Sequence, residues 1–215
     1  MTHAHGAVLI FDEICSGFHL GLGGAQKVYG VTPDLATFGK AMGNGWPISC
    51  IVGRSDIMDV FEEAFVSFTF AGDVSSMAAA LKIIEILETT DAYSRMESAG
   101  RQIFDAAHVF GEMSGLGDRF FVAGDPKWFT FGFKNPEDGS VDELSKAIWL
   151  QELARRGVLL LTTFNICAAL DQADVVKTIE AMAAAFKVVK SSLAHDVQQQ
   201  DYLDGSLPVG AFAVR

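Results

Sequence analysis

The chain opens almost at once on an unbroken apolar run, Gly6-Ala7-Val8-Leu9-Ile10-Phe11, closed by the acidic pair Asp12-Glu13. A run without polar alternation suits a strand buried on both faces of a parallel sheet, so the expected fold class is α/β. A central strand of that kind is seldom the first element of its sheet. The carboxylates that follow it lie at its carboxyl end, where open α/β sheets bind ligands.

Further along, Gly17 to Gly30 is glycine-rich, Leu35-Ala36-Thr37-Phe38 is a short apolar segment, and Gly39 to Pro47 forms a second glycine-rich turn. Ile48 to Val52 reads as another strand. Ser55 is expected to cap a short helix whose face carries Ile57, Met58, Val60 and Phe61. A longer helix starts near Val74, with Met77, Leu81, Ile84 and Leu87 at helical spacing, and Asp91 opens a further helix to about Phe110. Past Gly117 the texture changes. Arg119 to Val122 and Trp128 to Phe133 are aromatic and β-prone around Gly124-Asp125-Pro126, as paired strands would be. Val141 to Arg155 reads as helix, Val158 to Leu161 as strand, and Asp171 caps a last helix. The stripe of that helix, Val175, Ile179, Met182, Phe186, Val189 and Leu193, is expected in the core. The composition shift near residue 90 divides the chain into 1–90 and 91–215. From Leu207 to Val214 the tail is largely apolar and is expected to dock on the body or on another subunit.

Charge removes several function classes. With 16 Lys and Arg against 27 Asp and Glu, the net charge is −11. Such a field repels phosphate backbones and anionic lipid surfaces, so no nucleic acid and no membrane partner is expected. No apolar stretch reaches the ~18 to 20 residues of a membrane span, and the first residues lack the basic region of a signal peptide, which places the expected location in the cytoplasm. Cys15, Cys50 and Cys167 are widely spaced, with no CxxC pair, and indicate neither zinc nor a disulfide framework. They are expected to be reduced thiols packed as small hydrophobes. His3 and His5 lack partners at ligand spacing and read as a mobile N-terminal pair.

Asp12 and Lys40 are the candidates for chemistry. A buried carboxylate is costly without a cation or several donors. Two partners are open to Asp12: a protonated heterocyclic nitrogen of a cofactor, or Lys40 itself, in Phe38-Gly39-Lys40-Ala41-Met42-Gly43-Asn44-Gly45. Lysine beside glycines at a pocket edge suits condensation with a carbonyl, because desolvation or Schiff-base formation favours the neutral amine.

Three segments in order, Leu9-Ile10-Phe11-Asp12-Glu13-Ile14-Cys15-Ser16-Gly17-Phe18, Pro33-Asp34-Leu35-Ala36-Thr37-Phe38-Gly39-Lys40 and Phe68-Thr69-Phe70-Ala71-Gly72, resemble the class III pyridoxal-phosphate aminotransferases, in the branch related to glutamate-1-semialdehyde aminomutase. The resemblance implies the cofactor pyridoxal 5′-phosphate. It implies the later part of a fold type I large domain in residues 1–90 and a smaller α+β C-terminal domain in residues 91–215. It also assigns roles: Asp12 to the pyridine nitrogen, Ile14 to one ring face, Lys40 to the Schiff base and Thr69 to the cofactor phosphate, in such dimers typically that of the partner subunit. The remaining phosphate donors are expected from local hydroxyls and the helix N-terminus near Val74. The substrates implied are an amino acid or amine and a carbonyl compound, in a homodimer or in association with a complementary chain. The reaction implied is amino-group transfer, or amino migration on one skeleton.

The sequence also departs from the family's pattern. The family's usual first half, with a glycine and serine phosphate loop and a stacking aromatic, has no counterpart here. His19 stands where relatives commonly carry arginine. Thr162 to Leu170 has no arginine for a substrate carboxylate, which leans toward the aminomutase-like branch. Gly21-Leu22-Gly23-Gly24 does not complete a dinucleotide motif. A second reading, from a different class, is a non-catalytic fragment or assembly subunit that keeps the fold without the cofactor.

Overall fold

A computed structural model describes residues 1–161, 163–194 and 198–207. The chain divides into two compact units, Met1–Tyr93 and Ser94–Arg215. The fold is α/β. No helix among the described residues is long and apolar enough to cross a membrane.

The first unit carries a three-stranded sheet in the order β1 (Ile10–Glu13), β2 (Leu35–Phe38), β3 (Cys50–Gly53), with α1 (Gly24–Tyr29) between β1 and β2. β1 and β2 are parallel, in register Asp12 to Thr37 and Glu13 to Phe38, and β3 returns antiparallel to β2. The opening strand is shorter and later than its apolar run suggests. Burial on both faces, expected for that run, is not observed: Ile10 is 57% and Val8 50% exposed. The reason is position. β1 has one strand neighbour and stands at the sheet edge, and only the face of Phe11 and Glu13 is well covered.

Side chains hold this small sheet together. Asp34, immediately before β2, accepts from the backbone N–H of Leu9 at 2.8 Å, Arg54 Nη1 at 2.9 Å and His3 Nε2 at 2.9 Å. One carboxylate thus ties the approach to β1, the start of β2 and the end of β3. His3, expected to be mobile, sits in a single 3-10 turn, His3–His5, and is anchored by this bond. Glu13 is 1% exposed; its Oε2 accepts from Ala25 N at 2.6 Å and Ser16 Oγ at 3.3 Å, holding the first turn of α1. Gly24 is required there, since it lies at φ +56° and a Cβ would come within 2.3 Å of the Glu13 carboxylate.

α2 (Ser55–Met58) follows β3, but Arg54 occupies its N-cap position and no side chain caps it. α3 (Val74–Thr89) is capped by Asp73, which accepts from Ser76 N at 3.0 Å and from the Ser76 hydroxyl. The apolar spacing that predicts α3 marks its covered face only in part: Ser76 and Ala80 are buried and Ile84 and Leu87 half-buried, whereas Met77 is 45% and Leu81 69% exposed. α4 (Ala92–Met113) begins beside Asp91 as expected.

In the second unit, β4 (Phe120–Asp125) and β5 (Trp128–Phe133) form an antiparallel pair, α5 (Glu143–Arg155) follows, and β6 (Thr163–Asn165) adds to β5 along Trp128–Thr130. Val158 to Leu161 is therefore not a strand. Leu159 is 87% and Leu161 76% exposed, and the β5 ladder is taken up only from Thr163. α6 (Gln172–Ser192) opens on a capping box between Asp171 and Asp174. Its stripe faces inward: Val175, Met182, Phe186 and Val189 are at most 1% exposed. The core is aromatic. Phe120 meets Phe186 edge-on with centroids 4.8 Å apart, Phe131 meets Trp149 at 4.7 Å, and Phe129 stacks on Phe164 at 4.6 Å. The expected docking of the Leu207 to Val214 tail falls, beyond Leu207, on residues outside the described range.

Two outcomes test this account. Phe186→Ala should cost about 3–5 kcal/mol of unfolding free energy in urea denaturation followed by tryptophan fluorescence; a loss under about 1 kcal/mol would mean that the cluster repacks around it. The Leu9 amide, Arg54 and His3 hold the Asp34 carboxyl well below its ordinary value of 3.8. Its contribution is thus complete above the unfolded-state value and is lost as pH falls through and below it. Asp34→Asn should therefore be less stable than the parent at pH 7, with the gap beginning to narrow only as pH falls below about 4 and most of it persisting at about pH 3; a gap that closed fully by about pH 3 would refute this role for Asp34.

Candidate active site

Parallel pairing places the carboxyl ends of β1 and β2 side by side, and the sequence candidates gather there. Asp12 is exposed, and its Oδ1 accepts from the backbone N–H of Ile14 at 3.1 Å and from Thr37 Oγ1 at 3.3 Å. Thr37 is its register partner on β2. The acidic pair is divided by strand alternation: Glu13 turns inward to α1, and Asp12 turns to the other face.

Lys40 follows β2 after Gly39, in a segment that demands unusual backbone. Lys40 itself lies at φ +43° and Asn44 at φ +45°, in the left-handed region that non-glycine residues seldom enter. The turn is held by bonds from Gly43 N and Asn44 N to the Lys40 carbonyl at 3.1 and 3.0 Å. A Cβ at Gly43 would lie 2.4 Å from the Trp46 carbonyl, so glycine is required there. The turn leaves Lys40 exposed, with Nζ 2.5 Å from Cys15 Sγ. Ile14 lies against Gly39, where a Cβ would be 3.6 Å from its Cγ2.

Asp12, Ile14 and Lys40 thus share one end of the parallel pair. Of the two partners open to Asp12, Lys40 is not the one seen: Asp12 bonds to Thr37 and Ile14, and Lys40 to Cys15. Thr69 is carried by a different segment. It is exposed on the turn before α3 and lines a concavity of about 980 Å³ with Ile48, Phe61, Val66, Phe68 and Met77, a concavity that includes none of the other three. The N-terminus of α3, expected to offer phosphate donors, is capped by Asp73, and that bond to Ser76 holds the Asp73 carboxyl below its ordinary range.

Sequence reasoning missed Cys15 and Thr37. Thr37 was findable, because aligning two parallel strands by their carboxyl ends sets it opposite Asp12. The three cysteines are not packed as small hydrophobes: Cys15 and Cys167 are exposed and Cys50 is half-buried. Burial raises the Cys50 thiol above its usual value, and its Sγ faces Met42 Sδ at 3.8 Å. Among the described residues no group of three or more His, Cys, Asp or Glu is placed to hold a metal ion.

Comparison with known proteins gives one answer at three levels. Residues 1–111 match the family model described as aminotransferase class-III. The chain is 37% identical over 197 residues to a 3-aminobutyryl-CoA aminotransferase of Cloacimonas acidaminovorans, covering 90% of this chain and 47% of the relative. It is 36% identical over 201 residues to a glutamate-1-semialdehyde 2,1-aminomutase of Pyrobaculum calidifontis, covering 88% and 45%. In fold it resembles the FumI protein of Sphingopyxis sp. MTA144, solved as its PLP internal aldimine form, with a TM-score of 0.80 at 24% identity over 94% of this chain and 48% of that one. The chain spans about half the length of the relatives it matches. On its sequence and its fold, this chain belongs to the class-III aminotransferase family, whose cofactor is pyridoxal 5′-phosphate.

Proposed function

We propose that this chain carries the lysine and aspartate of a pyridoxal-phosphate site for amino-group transfer, or for amino migration on one skeleton. The observation that carries the reading is the shared strand end, where a primary amine, a carboxylate and an apolar side chain come from two adjacent parallel strands. The donor set fits the cofactor. Lys40 offers an exposed amine for an aldehyde carbon, Asp12 an exposed carboxylate for a ring N–H, and Ile14 an apolar surface for a ring face.

Bound there, the cofactor would supply an electron sink for the pair left when a substrate Cα–H bond breaks. Asp12 keeps a proton at the ring nitrogen, and Thr37 and the Ile14 N–H fix its carboxylate from the sheet side. The Lys40 amine would hold the aldehyde carbon and, when free, would take the substrate Cα proton as general base and give it back as acid. The constrained turn from Lys40 to Gly45 holds that amine at the strand end while it changes roles. Residues 1–90 then form part of the cofactor-binding domain and residues 91–215 the small domain. Thr69, on its own exposed turn, serves the phosphate of a second subunit's site, which makes the working unit a homodimer or an assembly with a complementary chain.

One observation favours the alternative of a fold retained without cofactor. The N-terminus of α3 bears its own carboxylate cap, so Asp73 competes with a phosphate for those amides.

Titration with pyridoxal phosphate decides between them. The proposed site gives a visible absorption band and, after borohydride, a stable adduct on the peptide containing Lys40, both absent from Lys40→Ala. Asp12→Asn should keep the adduct but lose about 1.5–3 kcal/mol of binding, a roughly 10- to 100-fold weaker dissociation constant. No adduct at saturating cofactor would establish the alternative.

A further inference from the structure

Cys15 and Lys40 are brought together by topology. The parallel register pairs Glu13 with Phe38, and Cys15 and Lys40 stand at the same offset beyond those paired residues. Neighbouring strands run about 4.8 Å apart, so equal offsets leave the two side chains within reach of one another, here with Nζ at 2.5 Å from Sγ. Each is pinned by its own turn. Gly17 N bonds to the Glu13 carbonyl at 2.9 Å across the Cys15 loop, and Gly43 and Asn44 close on the Lys40 carbonyl. Both side chains are exposed, so a small oxidant reaches them from solvent.

We infer that Cys15 and Lys40 form a reversible oxidation site, in which peroxide links the thiol sulfur to the lysine nitrogen and removes the amine from cofactor chemistry. In the first step the Cys15 sulfur gives two electrons to hydrogen peroxide, becoming a sulfenic acid as one water is released. In the second, the lysine sheds its ammonium proton to solvent and its nitrogen lone pair attacks that sulfur. The S–O bond breaks, the hydroxyl leaves as water with a proton from the amine, and an S–N bond remains. In sum one thiol, one neutral amine and one peroxide give the S–N link and two waters. Two equivalents of a thiol reductant reverse it, returning thiol and amine and forming one disulfide. The other cysteines lack this setting: Cys50 is half-buried against Met42, and Cys167 lies in the second unit. The linkage itself needs no cofactor; its regulatory consequence rests on the reading of Lys40 as the cofactor lysine.

The experiment separates the two. The cofactor-free chain is treated with equimolar hydrogen peroxide, digested without reductant and mapped by mass spectrometry. The expected product is a cross-linked pair of peptides joining Cys15 to Lys40, lighter by two hydrogens than the separate peptides. It should be absent from Cys15→Ser and Lys40→Ala and abolished by dithiothreitol. Cys15 found as a disulfide or a sulfinic acid, with Lys40 still open to acetylation, would overturn the proposal in the parent chain whatever the variants do. In a second arm the protein is oxidised first and then given pyridoxal phosphate and borohydride. Trapping on Lys40 should fall at least tenfold in the parent and return with dithiothreitol, while Cys15→Ser is unaffected by peroxide. If the unoxidised parent captures no cofactor, the assignment of Lys40 fails while the cross-link stands. If it captures cofactor equally before and after oxidation, the regulatory role fails alone.

Discussion

The parallel pairing of β1 with β2 is the constraint on which the first unit depends. A ladder of four residue pairs sets Asp12 beside Thr37, fixes where the two strands end, and thereby brings Ile14, Cys15 and Lys40 to one place. A shift of one residue would exchange the faces of β1, sending Glu13 outward and Asp12 against α1. The register is therefore held from several sides. Asp34 grips the backbone of Leu9 at the entry to β1, and Glu13 grips the amide of Ala25 at the exit. The chemistry at the strand ends is only as well placed as these two carboxylates keep it.

The acidic residues divide into structural and chemical ones by burial. Asp34 and Glu13 are almost wholly covered; Asp34 receives the Leu9 amide, Arg54 and His3, and the Oε2 of Glu13 receives Ala25 N and Ser16 Oγ. Asp12 keeps two donors on a single oxygen and remains exposed. This contrast separates a group that holds the fold from one placed to meet a ligand, in two consecutive residues on opposite faces of a single strand end.

Much of this was legible in the sequence, and most of the misses share a physical cause. Capping residues and aromatic alternation act locally, so Asp171, the β4–β5 pair and the inward stripe of α6 could be read directly. Burial is not local. The runs around Val8 and Leu159 are apolar whether or not a neighbour covers them, and here none among the described residues fully does. α3 shows the same limit: its apolar spacing predicts a helix correctly, yet its best-covered residues are Ser76 and Ala80, and Met77 and Leu81 of the stripe are exposed. At the site, Asp12, Ile14 and Lys40 could be grouped by motif, whereas the contact of Cys15 with Lys40 needed the register of two strands separated by α1.

Lys40 stands in a left-handed conformation that costs an L-residue roughly 1–2 kcal/mol and costs glycine almost nothing. Local preference and chemistry are therefore opposed at that one position. A campaign that ranked substitutions by thermal resistance alone would be drawn to replace this side chain first, and each gain in robustness there would silence the amine that gives the strand end its purpose.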